Sequence, residues 1–300
     1  MSTLAVTKKD FKGVRRAKTL WMVTGLLAVL AGLLAWVAGD PGRMDSEAAV
    51  ARDLFNAIAV LLSFLLPIVV LVACYLAIAG ERESGGIKFL LSLPNSRRDV
   101  FVGKFLSRTL VVTSSVLVMF LVVIVLSLVR VGTVPGVMLG IVALVALYGT
   151  VFVSIAVSLS AFVKTRSRAI GSAVGAYFGL IIINLGIPVI SVKSIVSYAH
   201  HDILGMARNP DLYNFVWYLS PFIAFQKAKN LVMPLEMRST MFQDSVRNEA
   251  EIESAAMNGR EIAPELPVYL TDEFSLVIFA FWLVVPLAIG YWRFQRADLD

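Results

Sequence analysis

The residues whose types could do chemistry fall into three small groups, and the first two fail on composition. His200, His201 and Asp202 place two imidazoles beside one carboxylate, with no thiolate and no second cluster to complete a metal set. Met233, Met237 and Met241 recur at helical spacing, but Pro234 interrupts their first turn. No metal ligands are assigned. The third group is the charged stretch from Gly80 to Lys104, which lies between two long apolar runs and must therefore be read from water.

Motifs that would make the chain an enzyme by itself are missing. It has no G-x-x-x-x-G-K-[ST] phosphate loop, no H-E-x-x-H zinc site and no G-x-S-x-G nucleophile elbow. The apolar runs also carry no charges near their middles, since Arg108 and Arg130 fall near the ends and can snorkel. Ion-coupled carriers commonly keep buried acids or histidines for their relays, and inverted repeats are expected of them. Neither is evident.

The elements that must position the charged stretch are membrane helices. The chain has 300 residues, of which 58% are hydrophobic and 16% charged, and its mean hydropathy is +0.80. That is more apolar surface than a soluble core of this length hides. Six runs are long enough to cross a hydrocarbon core of ~30 Å as helix: Leu20 to Gly39, Asn56 to Ala79, Phe105 to Val129, Val134 to Val163, Ala169 to Val192 and Phe274 to Trp292. The class is all-α, a polytopic membrane protein of six spans. Lys and Arg number 17 of 27 in the segments on the side of the termini, while 15 of 21 acids lie on the other. This asymmetry predicts that both termini are cytoplasmic.

Four sections follow from those spans. Residues 1–19 form a basic cytoplasmic segment, in which Lys8, Lys9, Lys12, Arg15, Arg16 and Lys18 surround Phe11 and Val14; it reads as an interfacial helix or a topology signal. Residues 20–192 hold spans one to five and the cytoplasmic element 81–104. Residues 193–273 form an external segment with a turn at Asn209-Pro210-Asp211, an aromatic cluster, and polar helix-like sequence from Phe242 to Met257. Residues 274–300 hold the last span, expected to be capped by Thr271, and a short tail. Gly171, Gly175 and Gly179 in the fifth span set out a small-xxx-small pattern suited to close helix packing, within the chain or between two chains. Cys74 is the only cysteine, so no disulfide forms within the chain.

Glu81-Arg82-Glu83-Ser84-Gly85-Gly86, then Phe89 to Pro94, Ser96-Arg97 and Gly103-Lys104 resemble the cytoplasmic signature of type-2 ABC transporter permeases. Gly86 and Asn95 depart from the usual pattern, without removing a charge or the proline turn. Leu219-Ser220-Pro221-Phe222-Ile223-Ala224-Phe225 is similar to a second element of these permeases, and nitrous-oxide-reductase maturation permeases are one similar branch. The resemblance implies a permease subunit that exports substrate by alternating access. It further implies two copies of a cytosolic ATPase that bind ATP and Mg, a second permease chain, and surrounding membrane lipid. No cofactor belongs to this chain and no nucleic acid is a partner. Within the resemblance Glu81, Glu83, Ser84, Gly85, Gly86, Leu91, Pro94, Arg97, Arg98 and Lys104 are ATPase-coupling residues. A secondary transporter or channel, and a non-transporting anchor that relays force, are the alternative readings.

Overall fold

In the computed structural model, residues 3–15, 18–38, 47–87, 96–131, 136–185, 191–233 and 268–297 are described, and no strand occurs among them. In chain order, α1 spans Thr3–Arg15, α2 Lys18–Ala38, α3 Glu47–Cys74, the short α4 Ala79–Glu83 and α5 Arg97–Val131. They are followed by α6 (Met138–Phe162), α7 (Arg166–Leu180), α8 (Val192–Ser197), α9 (Pro210–Tyr218), α10 (Pro221–Val232) and α11 (Phe274–Gln295). Backbone groups in hydrocarbon must be satisfied within their own segment, which is why the long apolar runs fold as helices. Five helical stretches among the described residues are long and apolar enough to cross: Phe55–Glu83, Arg97–Val129, Met138–Phe162, Arg166–Asn184 and Phe274–Gln295. The first expected span falls on α2, an apolar helix of 21 residues. The fifth is shorter than expected, because α7 stops at Leu180 and passes into a 3-10 turn at Ile182–Asn184.

The bundle is built around α6, whose side chains are buried or half-buried on every side from Leu144 to Ala161. It packs against α3, α5, α10 and α11. Close approaches sit where one helix offers a glycine. A Cβ on Gly290 of α11 would lie 2.8 Å from Ser158, and one on Gly149 would lie 2.9 Å from Val112. Gly171, Gly175 and Gly179 are not such points, since a Cβ on any of them would meet nothing within 4 Å. Whatever these three glycines accommodate, it is not another helix among the described residues.

On one flank α1 and α2 follow α5 in the same direction. Thr3 donates to Asp99, Val6 abuts Gly103, and Gly32 approaches Leu126, while Thr24 donates to Ser115. With 35 residues, α5 is roughly 52 Å long, well beyond the ~30 Å of hydrocarbon. Its first turns therefore stand outside the membrane with α1 packed along them.

The segment 193–273 holds a re-entrant hairpin. Asn209 caps α9 through Leu212 N–H, and Ser220 caps α10 through Phe222 N–H with Pro221 in the first turn. Every residue of α10 from Pro221 to Asn230 is buried. Phe225 stacks on Tyr148 at 4.3 Å, Phe222 meets Phe64 at 5.2 Å, and Gln226 donates to Ser63 Oγ at 3.3 Å. The connecting turn is held by the Trp282 indole, which donates to the Leu219 carbonyl at 2.7 Å, and by Ser220 Oγ, which donates to that of Leu180 at 2.9 Å. Irregular backbone survives at such depth only with partners of this kind. Thr271 does not cap the last span; its hydroxyl closes the preceding turn on the Val268 carbonyl, and the cap position is Glu273. The expected polar helix from Phe242 to Met257 lies outside the described residues.

Candidate coupling site

The charged stretch begins where α3 breaks. Four residues, Tyr75 to Ile78, leave the regular helical ladder before α4 resumes it. Ser160 of α6 repairs the gap: its hydroxyl donates to the Tyr75 carbonyl at 2.7 Å and accepts from the N–H groups of Ile78 and Ala79, both at 3.0 Å. A serine in the last turn of an apolar helix thereby stands in for three backbone partners. The far end of α4 turns at Gly85, whose φ of +71° is the left-handed conformation glycine adopts without strain. Ser84 and Gly85 are exposed there, and helical conformation starts again at Gly86 and Ile87.

Between these two bends Glu81 enters a charge cluster drawn from three helices. Lys104 of α5, only 1% exposed, lies 2.7 Å from Glu81 and 3.2 Å from Asp10 of α1. Asp10 also accepts from the Ser107 hydroxyl and lies 3.6 Å from Arg108, which donates to the Ala73 carbonyl at 3.3 Å. Two carboxylates face two cations, so the cluster is neutral as a whole. Burial pushes the Asp10 carboxyl up, but Lys104, Arg108 and Ser107 outweigh that and hold it below its ordinary value. Gly103 brings α1 close enough for this, because a Cβ there would sit 2.9 Å from Val6.

The neighbouring charges tie helix ends. Arg82 donates to the carbonyls of Ala161 and Val163 at 3.2 and 3.4 Å, at the C-terminus of α6. Glu83 accepts from the Arg166 N–H at 2.7 Å and lies 3.5 Å from its guanidinium, at the N-terminus of α7. Both match the polarity of a helix end. Arg97 places one nitrogen within 3.1 Å of the carbonyls of Phe294, Gln295 and Ala297, closing the C-terminus of α11. Glu81, Glu83, Arg97 and Lys104 thus engage this chain's own helices, whereas Arg98 is exposed. Leu91 and Pro94 lie outside the described residues.

The sequence pattern described as "ABC-2 family transporter protein" matches residues 4–299. This chain belongs to that family. It is 30% identical over 190 residues to the "Probable ABC transporter permease protein NosY" of Stutzerimonas stutzeri, covering 59% of this chain and 66% of that protein. The protein of the same name from Pseudomonas aeruginosa is 29% identical over 187 residues, with the same shares covered. The matches thus span just under two thirds of those relatives. Family membership and the apolar helices together make the chain a multi-pass protein of the cell membrane.

Several residues of this ABC-2 site were not singled out by sequence reasoning. Asp10 lies between Lys9 and Phe11, and Ser107 next to Arg108 and three residues from Lys104, all of which were noticed, but nothing local links position 10 to position 104. Ser160 carries no signal beyond being a hydroxyl in an apolar helix. Lys229 in α10 is different: it is 6% exposed, and burial lowers its amine to about 8. The run Gln226-Lys227-Ala228-Lys229-Asn230 beside aromatic residues was its visible signal. The two histidines make ordinary contacts, His200 with the Tyr213 hydroxyl at 3.1 Å and His201 with the Met206 carbonyl at 2.9 Å.

Proposed function

We propose that the chain is the membrane subunit of an ATP-driven transporter, and that the segment from Ala79 to Arg98 receives the movement of a separate cytosolic ATPase. One observation carries this reading. The segment is fastened to the membrane-proximal ends of α1 and α5 through Lys104, of α6 through Arg82 and Ser160, and of α7 through Glu83. Displacing it displaces four helices together.

Two permease chains and two ATPase copies make the working unit in this reading, with ATP and Mg bound by the ATPase. Closure of the ATPase pair would push the segment and rock the bundle between inward-open and outward-open arrangements, in the direction of export. Both termini, α1 and the break at Tyr75–Ile78 lie on the cytoplasmic side. The curated relatives are named permeases, and that name supports the assignment here.

The test uses Arg98, because its side chain is exposed. Arg98→Glu should leave the amount of protein in the membrane unchanged and reduce co-purification of the ATPase at least fivefold, with transport falling in parallel. Full association and transport in this variant would remove the contact from this position. Normal ATPase binding by a Lys104→Met chain would show that the charge cluster does not carry the coupling.

A further inference from the structure

A cavity of about 210 Å³ lies between the two helices α1 and α2 and the flank of α5. Phe11, Trp21, Thr24, Val111, Ser115 and Val118 line it. Its floor lies 3 to 10 residues beyond Arg108 along α5, or roughly 5 to 15 Å into the hydrocarbon at 1.5 Å per residue. Its mouth is formed by Phe11 and Trp21, and a tryptophan ring favours the headgroup level.

The hydroxyls in the cavity have their protons engaged. Thr24 donates to Ser115 Oγ at 2.9 Å, Ser115 to the Val111 carbonyl at 3.0 Å, and Ser114 to the Leu110 carbonyl at 2.7 Å. None of these hydroxyls has a proton left for a polar solute, and Phe11, Val111 and Val118 of the wall are apolar. Such a cleft suits an acyl chain. Phe11 of its wall is flanked in sequence by Lys8 and Lys12, both exposed and one turn apart on α1, where a phosphate at headgroup level would meet them.

We infer that this cleft holds one anionic phospholipid, with an acyl chain between α2 and α5 and its phosphate on Lys8 and Lys12. The inference rests on the membrane location of the chain and is independent of the ATPase reading. The bound lipid would fill the seam between α1–α2 and α5, the same seam that the Asp10–Lys104 contact closes farther along.

The experiment is native mass spectrometry of the full chain released from nanodiscs that contain equal amounts of phosphatidylglycerol and phosphatidylcholine with identical chains. The wild type should retain one phosphatidylglycerol in preference to phosphatidylcholine. Lys8→Glu with Lys12→Glu should cut that preference fivefold or more, since each basic residue near a headgroup contributes about that factor. These two side chains are exposed, so the fold is not at stake. Ser115→Phe, which fills the cleft, should reduce retention of both lipids. Equal retention of the two lipids by the wild type, or an unchanged preference in the double lysine variant, would mean annular lipid only and would overturn the site.

Discussion

Lys104, expected to be an ATPase-coupling residue, is held by two carboxylates of its own chain. A lysine held between two carboxylates at 2.7 and 3.2 Å and nearly sealed from water is costly to remove, because Glu81 loses its cation and Asp10 is left with Arg108 and Ser107 alone. Lys104→Met should destabilise the folded chain by about 3 kcal/mol, read as a lower melting temperature in detergent, and α1 should become accessible to protease. Ser160→Ala strips three backbone groups of their partner at once and should cost on the order of 2 kcal/mol. Lys229 gives the opposite sign. Its amine is lowered to about 8 from an ordinary 10.5 by burial alone, so between those values the unfolded chain binds the proton and the folded chain does not. Stability should therefore rise as pH climbs from 8 towards 10.5, and Lys229→Met should remove that rise while melting higher at pH 7. A wild-type slope equal to that of the variant would count against a buried, uncompensated amine.

At the level of elements, what was legible and what was not divides on range. A span announces itself by some twenty apolar residues in a row, and α3, α5, α6 and α11 each overlap a run that hydropathy picks out. The left-handed bend at Gly85 was equally local, an exposed Ser-Gly-Gly between charges. By contrast, α10 is buried on all sides yet carries Gln226, Lys227, Lys229 and Asn230, so no apolar run marks it as part of the bundle. The break in α3 depends on a serine more than 80 positions away, and the docking of α1 on Gly103 links positions 97 residues apart. Gly103→Leu tests that docking: it should drive α1 off α5, expose Asp10 to water and loosen the Glu81 attachment, while α5 itself, a long apolar helix, still inserts. Protease cleavage within residues 3–15, with the membrane level of the chain unchanged, is the expected result.

For the whole molecule the structure makes the proposed second permease chain testable through α7. Span-length helices inside the bundle meet at Gly149 and Gly290, where an added Cβ would collide with a neighbouring helix, so substitutions there would confound folding with assembly. Gly171, Gly175 and Gly179 are separated by one helical turn each and face open space, and Ile170, Val174 and Phe178 beside them are about half exposed. A side chain at Gly175 therefore starts into open space among the described residues. Two helices that associate in lipid do so by close backbone approach and van der Waals contact rather than by a hydrophobic drive, and one bulky side chain at the crossing point forfeits that contact. Gly175→Leu should leave the melting temperature of the isolated chain unchanged and shift the permease from dimer to monomer in detergent and in crosslinked membranes. If the variant stays dimeric at the wild-type concentration dependence, the partner chain meets another face of the bundle and α7 faces lipid.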